Sequence, residues 1–114
     1  ELDLNDLSLA FYKNLTKLEP FGEGNPQPIF ATFRVKIIEC KNVGKDNKHL
    51  KLRLGSDDSR LTFEAIGFGL GDLSKKISVG QKIDIAYQLS VDSWNGYEKL
   101  QLKLKDFKED GERV

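Results

Sequence analysis

Three stretches of this chain repeat apolar residues with period two, the first of them in strict alternation with polar ones, and that period admits one kind of element. Leu50, Leu52 and Leu54 interleave with His49, Lys51 and Arg53. Ile83, Ile85, Tyr87 and Leu89 share one parity, and Leu100, Leu102 and Leu104 interleave with Lys99, Gln101 and Lys103. A strand points successive side chains to opposite faces, so each stretch predicts a strand with one buried and one wet face. The wet face of the first stretch carries the only histidine of the chain and two cations, with Lys45 and Lys48 just before it. A positive row on a flat strand can track a phosphate backbone. Charge also decorates strands for solubility alone, and one strand does not decide between the two.

The remaining constraints narrow the class. At 114 residues the chain has room for one domain and one modest core. No apolar run reaches transmembrane length, and no signal-peptide pattern opens the chain, so no membrane partner is expected. A single cysteine, Cys40, excludes an internal disulfide and suits a reducing cytoplasm. There is no methionine and the first residue is Glu1, so the chain reads as a piece of a longer polypeptide. Lys plus Arg and Asp plus Glu both number 18, so net charge is silent about partners. Its distribution is not. From Arg34 to Arg53 seven basic residues face two acidic ones, a local net of +5, whereas the stretch up to Glu23 has five acids against two lysines. Charge sorted in this way suits a one-sided binder.

In chain order, Leu7, Ala10, Phe11, Leu15 and Leu18 fall at helical spacing, with Asn5 or Asp6 as cap and Pro20 as stop, which predicts a helix over Leu7 to Leu18. Its apolar stripe needs a partner, either the rest of this chain or a neighbouring domain. PFGEGNPQP, residues 20–28, holds all three prolines and reads as a shaped joint between helix and sheet, with direct ligand contact as the alternative. Five strands then follow: Phe30 to Lys41 with Phe33, Val35 and Ile37 inward; Lys48 to Leu54; Arg60 to Phe68; Gln81 to Ser93; and Tyr97 to Phe107. Ile38 and Cys40 have the opposite parity in the first, as in a long strand that coils between two layers. Phe63 shares the parity of Leu61 and is expected in the core; Phe68 has the other parity, with glycines that obscure its direction. GDLSKKI, Gly71 to Ile77, is expected to be a short helix. The expected fold class is therefore mainly β: a five-stranded OB-fold barrel with an N-terminal helix and a short helix between strands three and four. Such barrels bind oligonucleotides or oligosaccharides on the face of strands two and three, flanked by the loops between strands one and two and strands four and five.

The last of those loops is DSWNGYEK. Asn-Gly is the favoured two-residue hairpin turn because both positions take positive φ. The turn sets Trp94 opposite Tyr97, and strand parity puts both on the polar face with Lys99 and Lys103. An exposed pair of this kind can stack on unpaired bases, or it can serve only as a cross-strand staple for the hairpin. The residues predict no chemistry. One histidine, His49, cannot assemble a metal-dependent phosphodiesterase centre, and a phosphate or hydrogen-bond contact suits it better than a metal. Asp57-Asp58 and Glu109-Asp110 lie in a turn and a tail. Cys40 has no histidine partner in sequence and reads as a small apolar filler. GFGLG, residues 67–71, lacks the Lys-Ser/Thr ending of a phosphate loop.

LEPFGEGNPQPIF, VGKDNKHLKLRL, the EAIGFG run and DIAYQLSVDSWNGYEKLQLKLKDF together resemble the C-terminal OB domain of the RecJ family of bacterial single-stranded-DNA-specific exonucleases. The resemblance runs from the helix before Pro20 to Phe107. It implies a full-length 5′-to-3′ exonuclease of the DHH phosphoesterase group that uses manganese or magnesium in recombination and repair. The metal and the catalytic Asp and His clusters would belong to a nuclease core outside this chain, and no cofactor is expected in the fragment itself. On that reading residues 1–28 lead from the core, 29–108 form the OB domain and 109–114 are a tail. The expected ligand is single-stranded DNA, held by Lys45, Lys48, His49, Lys51, Arg53, Lys99 and Lys103 with Trp94 and Tyr97 stacking. The rival expectation is a bracing or docking module for the nuclease core or for single-strand-binding protein, with the acidic N-terminal helix as its docking edge.

Overall fold

The computed structural model describes residues 2–18, 27–57 and 60–109, with the side chains of Leu18, Trp94 and Glu109 outside the description. The prolines at 20 and 26 and the glycines between them fall outside it. Each alternating stretch forms a strand. They are β1 (Phe30–Val43), β2 (His49–Gly55), β3 (Thr62–Gly67), β4 (Lys82–Trp94) and β5 (Tyr97–Glu109), preceded by one helix, α1 (Leu9–Leu18). The strands close a barrel in the order β1-β2-β3-β5-β4, with β1 also paired to β4. All pairings are antiparallel except β3 with β5. This is the expected mainly-β OB barrel. The element between β3 and β4 is a 3-10 helix, Gly71–Lys76.

The alternation maps onto the interior as the pleat requires. Leu50, Leu52, Leu54, Ile83, Ile85, Tyr87, Leu89, Leu100, Leu102 and Leu104 are buried in one core cluster with Val35, Ile37 and Ala65. Full burial of one such aliphatic side chain is worth about 1.5–3 kcal/mol. Phe63 packs against this cluster as expected, while Leu61, which precedes β3, is exposed.

Strand β1 departs from simple alternation twice. Its pairing with β4 shifts between Thr32 and Val35, where Arg34 takes φ 59° and its N–H donates to Asp84 Oδ1 at 2.9 Å. The irregularity turns Thr32 inward and leaves Phe33 38% exposed, which corrects its expected inward placement. The pairing with β2 shifts again between Ile37 and Glu39, so Ile38 is extruded while Cys40 sits opposite Leu52 and packs on the core. A bulge adds one residue and so resets parity. Burial pushes the Cys40 thiol up, which favours its protonated form.

The N-terminal segment is tied to the barrel. Asp3 caps a 3-10 turn at Leu4–Asp6, and the α1 cap is Ser8, whose Oγ accepts from the Phe11 N–H at 2.9 Å; Asn5 and Asp6 do not cap it. The helix accordingly starts two residues later than the spacing predicts, and Leu7 stands in extended backbone before it. Leu4 and Leu7 join the barrel core, and Phe11 and Tyr12 pack against it, so Leu7 and Phe11 of the apolar stripe find their partner within this chain, while Ala10 stays exposed. The Leu2 N–H donates to Ala31 O at 2.8 Å, and the buried Thr32 hydroxyl bonds both Leu2 O and the Tyr87 hydroxyl. Among the described residues no helix is long and apolar enough to cross a membrane.

Candidate nucleic-acid interface

Because Ala65 faces the core, the residues on either side of it on β3 face outward. Register then sets cross-strand rows over β2, β3 and β5. Arg53, Glu64 and Gln101 form one row, and Lys51, Ile66 and Lys103 the next. Lys99 extends the β5 side and His49 the β2 side. Strands that are far apart in sequence thus place five of the expected contact residues, His49, Lys51, Arg53, Lys99 and Lys103, on one outer face.

These five form two groups. In the first, three cations converge on one carboxylate oxygen. Glu64 Oε1 lies 3.2 Å from Lys99 Nζ, 3.4 Å from Arg53 Nη2 and 3.9 Å from Lys51 Nζ. Its side chain is only 13% exposed. Burial alone would raise the Glu64 carboxyl, but the Lys99 hydrogen bond and the charges of Lys51, Lys99 and Arg53 outweigh it and hold the group below the usual carboxylate range. Arg53 also donates to Thr62 Oγ1 at 3.2 Å and approaches Glu39 across the β1 edge at 3.9 Å. Two carboxylates, Glu64 and the more exposed Glu39, against three cations leave a local surplus of positive charge.

In the second group an exposed phenyl ring is framed by two of the predicted residues. Phe68, just past β3, is 58% exposed. The His49 ring meets it edge-on at 5.3 Å between centroids, and Lys103 Nζ lies 5.8 Å from the Phe68 centroid. His49 Nδ1 accepts the Gly69 N–H at 2.9 Å, which ties the turn after β3 to β2.

The other expected residues lie around this face. Lys45 and Lys48 are exposed in the β1–β2 connection, Lys45 in a 3-10 turn and Lys48 at its end. Lys48 is therefore not a β2 residue, which corrects its place in the expected strand; its carbonyl accepts the Gly71 N–H at 2.8 Å instead. At the other flank Asn95 and Gly96 take φ 49° and 82°, as the hairpin turn requires, and Trp94 pairs with Tyr97 in register. Tyr97 is 75% exposed; the Trp94 side chain lies outside the described residues.

Sequence reasoning missed Glu64 and left Phe68 open. The parity of Ala65 points Glu64 outward, but nothing local shows that Lys99, thirty-five positions on, meets it. A cavity of about 310 Å³ between the N-terminal segment and the β1 bulge is lined by another set of residues, including Asn5, Arg34 and Lys82. Among the described residues no three His, Cys, Asp or Glu side chains gather as a metal ion requires.

Known proteins carry the same architecture. RecJ of Bacillus subtilis, a single-stranded-DNA-specific exonuclease, is 29% identical over 110 residues, covering 93% of this chain and 14% of the relative. RecJ of Thermus thermophilus in complex with Mg2+ superposes with a TM-score of 0.62 at 28% identity, over 87% of this chain and 14% of that one. The mitochondrial single-stranded DNA binding protein of S. cerevisiae shares the fold at 15% identity, with a TM-score of 0.58 over 74% of this chain and 96% of that one. The chain thus spans about a seventh of the RecJ relatives it matches. The family described as RecJ OB domain matches residues 1–106, and this chain belongs to it.

Proposed function

We propose that this chain is the single-stranded-DNA-holding domain of a RecJ-type 5′-to-3′ exonuclease that acts in recombination and repair in the cytoplasm. The observation that carries the reading is the gathering of Lys51, Arg53, Lys99 and Lys103 from β2 and β5 onto one outer face. Each can take a backbone phosphate, with Lys45 and Lys48 adding charge at the β1–β2 loop. Tyr97, exposed at the hairpin, and Trp94 beside it would stack on bases. Residues 1–28 would lead in from the nuclease core, 29–108 form the binding domain and 109–114 the tail. Hydrolysis would belong to the core, together with its manganese or magnesium. The Thermus thermophilus chains in complex with Mg2+ and Mn2+ are much longer than this one.

A second reading, a bracing module that docks the nuclease core or single-strand-binding protein, draws on exposed apolar side chains such as Ile29, Ile38 and Val79. Titration of a labelled oligo-dT separates the two. Binding through phosphates releases counterions, so affinity should be measurable at low salt and fall as salt rises. No binding at low salt would leave the bracing role.

A further inference from the structure

We propose that Phe68 is a nucleobase-stacking platform fixed by His49, so that a strand crossing this face lays one base on the phenyl ring and the adjoining phosphate on Lys103. The inference rests on the single-stranded-DNA reading above and assigns it a residue and a geometry. Ile66 and Phe68 follow one another on the outer side of β3, Ile66 8% exposed and Phe68 58% exposed. Lys51 borders Ile66 on the β2 side and Lys103 on the β5 side. An exposed ring with Lys103 beside it matches the chemistry of a single strand, whose bases are flat and apolar-faced and whose phosphates lie to the side.

The ring is also held before any ligand arrives. His49 takes the Gly69 N–H and stands nearly perpendicular to the Phe68 ring, with 5.3 Å between centroids. His49 is itself backed by Gly44, where an added Cβ would lie 2.5 Å from His49 Cδ2. Behind that turn, Asn42 Nδ2 donates to both Asn47 O and Gly71 O, at 3.1 and 2.7 Å, and so joins the β1–β2 loop to the segment after β3. An aromatic side chain that is exposed yet anchored loses little freedom on binding, which favours affinity. His49 is thus a positioning residue, and Phe68 the group that would touch the ligand.

The test compares oligo-dT with an abasic phosphodiester of the same length, each titrated against this chain, whose barrel closes on its own core. Phe68→Ala should weaken oligo-dT binding about 5- to 100-fold, leave the abasic oligomer unchanged, and be rescued by Phe68→Trp. Because Phe68 is largely exposed, thermal melts should show the variants folded. Equal affinity of wild type and Phe68→Ala for oligo-dT, or equal losses on both oligomers, would overturn the platform. Salt-sensitive binding by the wild type would still support the broader reading in that case. If the wild type binds neither oligomer at low salt, both fail together.

Discussion

At the scale of single residues, Glu64 decides how much of the positive face is available. Its carboxylate is nearly enclosed and holds Lys51, Arg53 and Lys99 at 3.9, 3.4 and 3.2 Å. A phosphate must compete with it for those three cations. Glu64→Gln keeps the shape and removes the charge, so oligo-dT binding at low salt should tighten about fivefold, the equivalent of about 1 kcal/mol for one charge at contact range in water. Weaker binding would mean that Glu64 aligns the cations for the phosphate. The same variant tests acid stability. The folded Glu64 carboxyl lies below its ordinary range, so its contribution is present above the unfolded value near 4.3 and is lost as pH falls through the lower folded value. Asp57 is displaced in the same direction by Lys82 and Lys36, so the Glu64→Gln variant keeps part of the acid limb. Denaturant unfolding from pH 6 downward should show a shallower loss of stability for Glu64→Gln than for wild type.

At the scale of elements, glycines mark where backbone and register were built together. Gly71 opens the 3-10 helix against the β1–β2 loop, and a Cβ there would lie 2.1 Å from Asn47 O and 2.8 Å from Lys48 O. Both are backbone atoms that cannot swing aside. Gly96 has φ 82° with nothing within 4 Å of an added Cβ, so a side chain there meets only the left-handed backbone penalty. Gly96→Ala should cost about 1–2 kcal/mol. Gly71→Ala should cost clearly more, with a melting temperature lower than that of Gly96→Ala by at least several degrees, given about 4 °C per kcal/mol for a chain of this size. Equal melting temperatures would mean that the loop yields. Legibility in the sequence follows the same division. Leu50, Ile83 and Leu102 could be placed inward from parity alone, because alternation is local. Phe33 could not, since its exposure follows from a register shift between Thr32 and Val35 that exists only where β1 pairs with β4. Lys51 and Arg53 were visible as cations on a wet face, whereas their convergence on Glu64 depends on β3 lying between β2 and β5.

At the scale of the whole molecule, the barrel has a seam, and the charged face lies across it. Strands β4 and β5 pair along nearly their full length, whereas β3 and β5 meet in parallel only at Glu64–Gln101, Ala65–Leu102 and Ile66–Lys103. Parallel pairs are slightly less stable per residue, and a short ladder gives few bonds to break, so opening of the barrel is easiest here. The groups proposed to bind a strand sit on both sides of the seam: Lys51, Arg53 and Phe68 on the β2–β3 side, and Lys99 and Lys103 on β5. A ligand that bridges them binds the closed barrel better than an opened one, and closure is favoured by its differential affinity for the two states. Hydrogen exchange at those amides of residues 64–66 and 101–103 that bond across the seam should therefore be faster than at their neighbours that bond to β2 and β4, and should slow when oligo-dT is added. Amides of the β1–β4 ladder, on the other side of the barrel, should change little. Protection confined to the hairpin around Asn95 and Gly96 would place the strand on Tyr97 alone and leave the seam out of binding. Protection spread evenly over the barrel would mean that the ligand stabilises the fold without bridging β3 and β5.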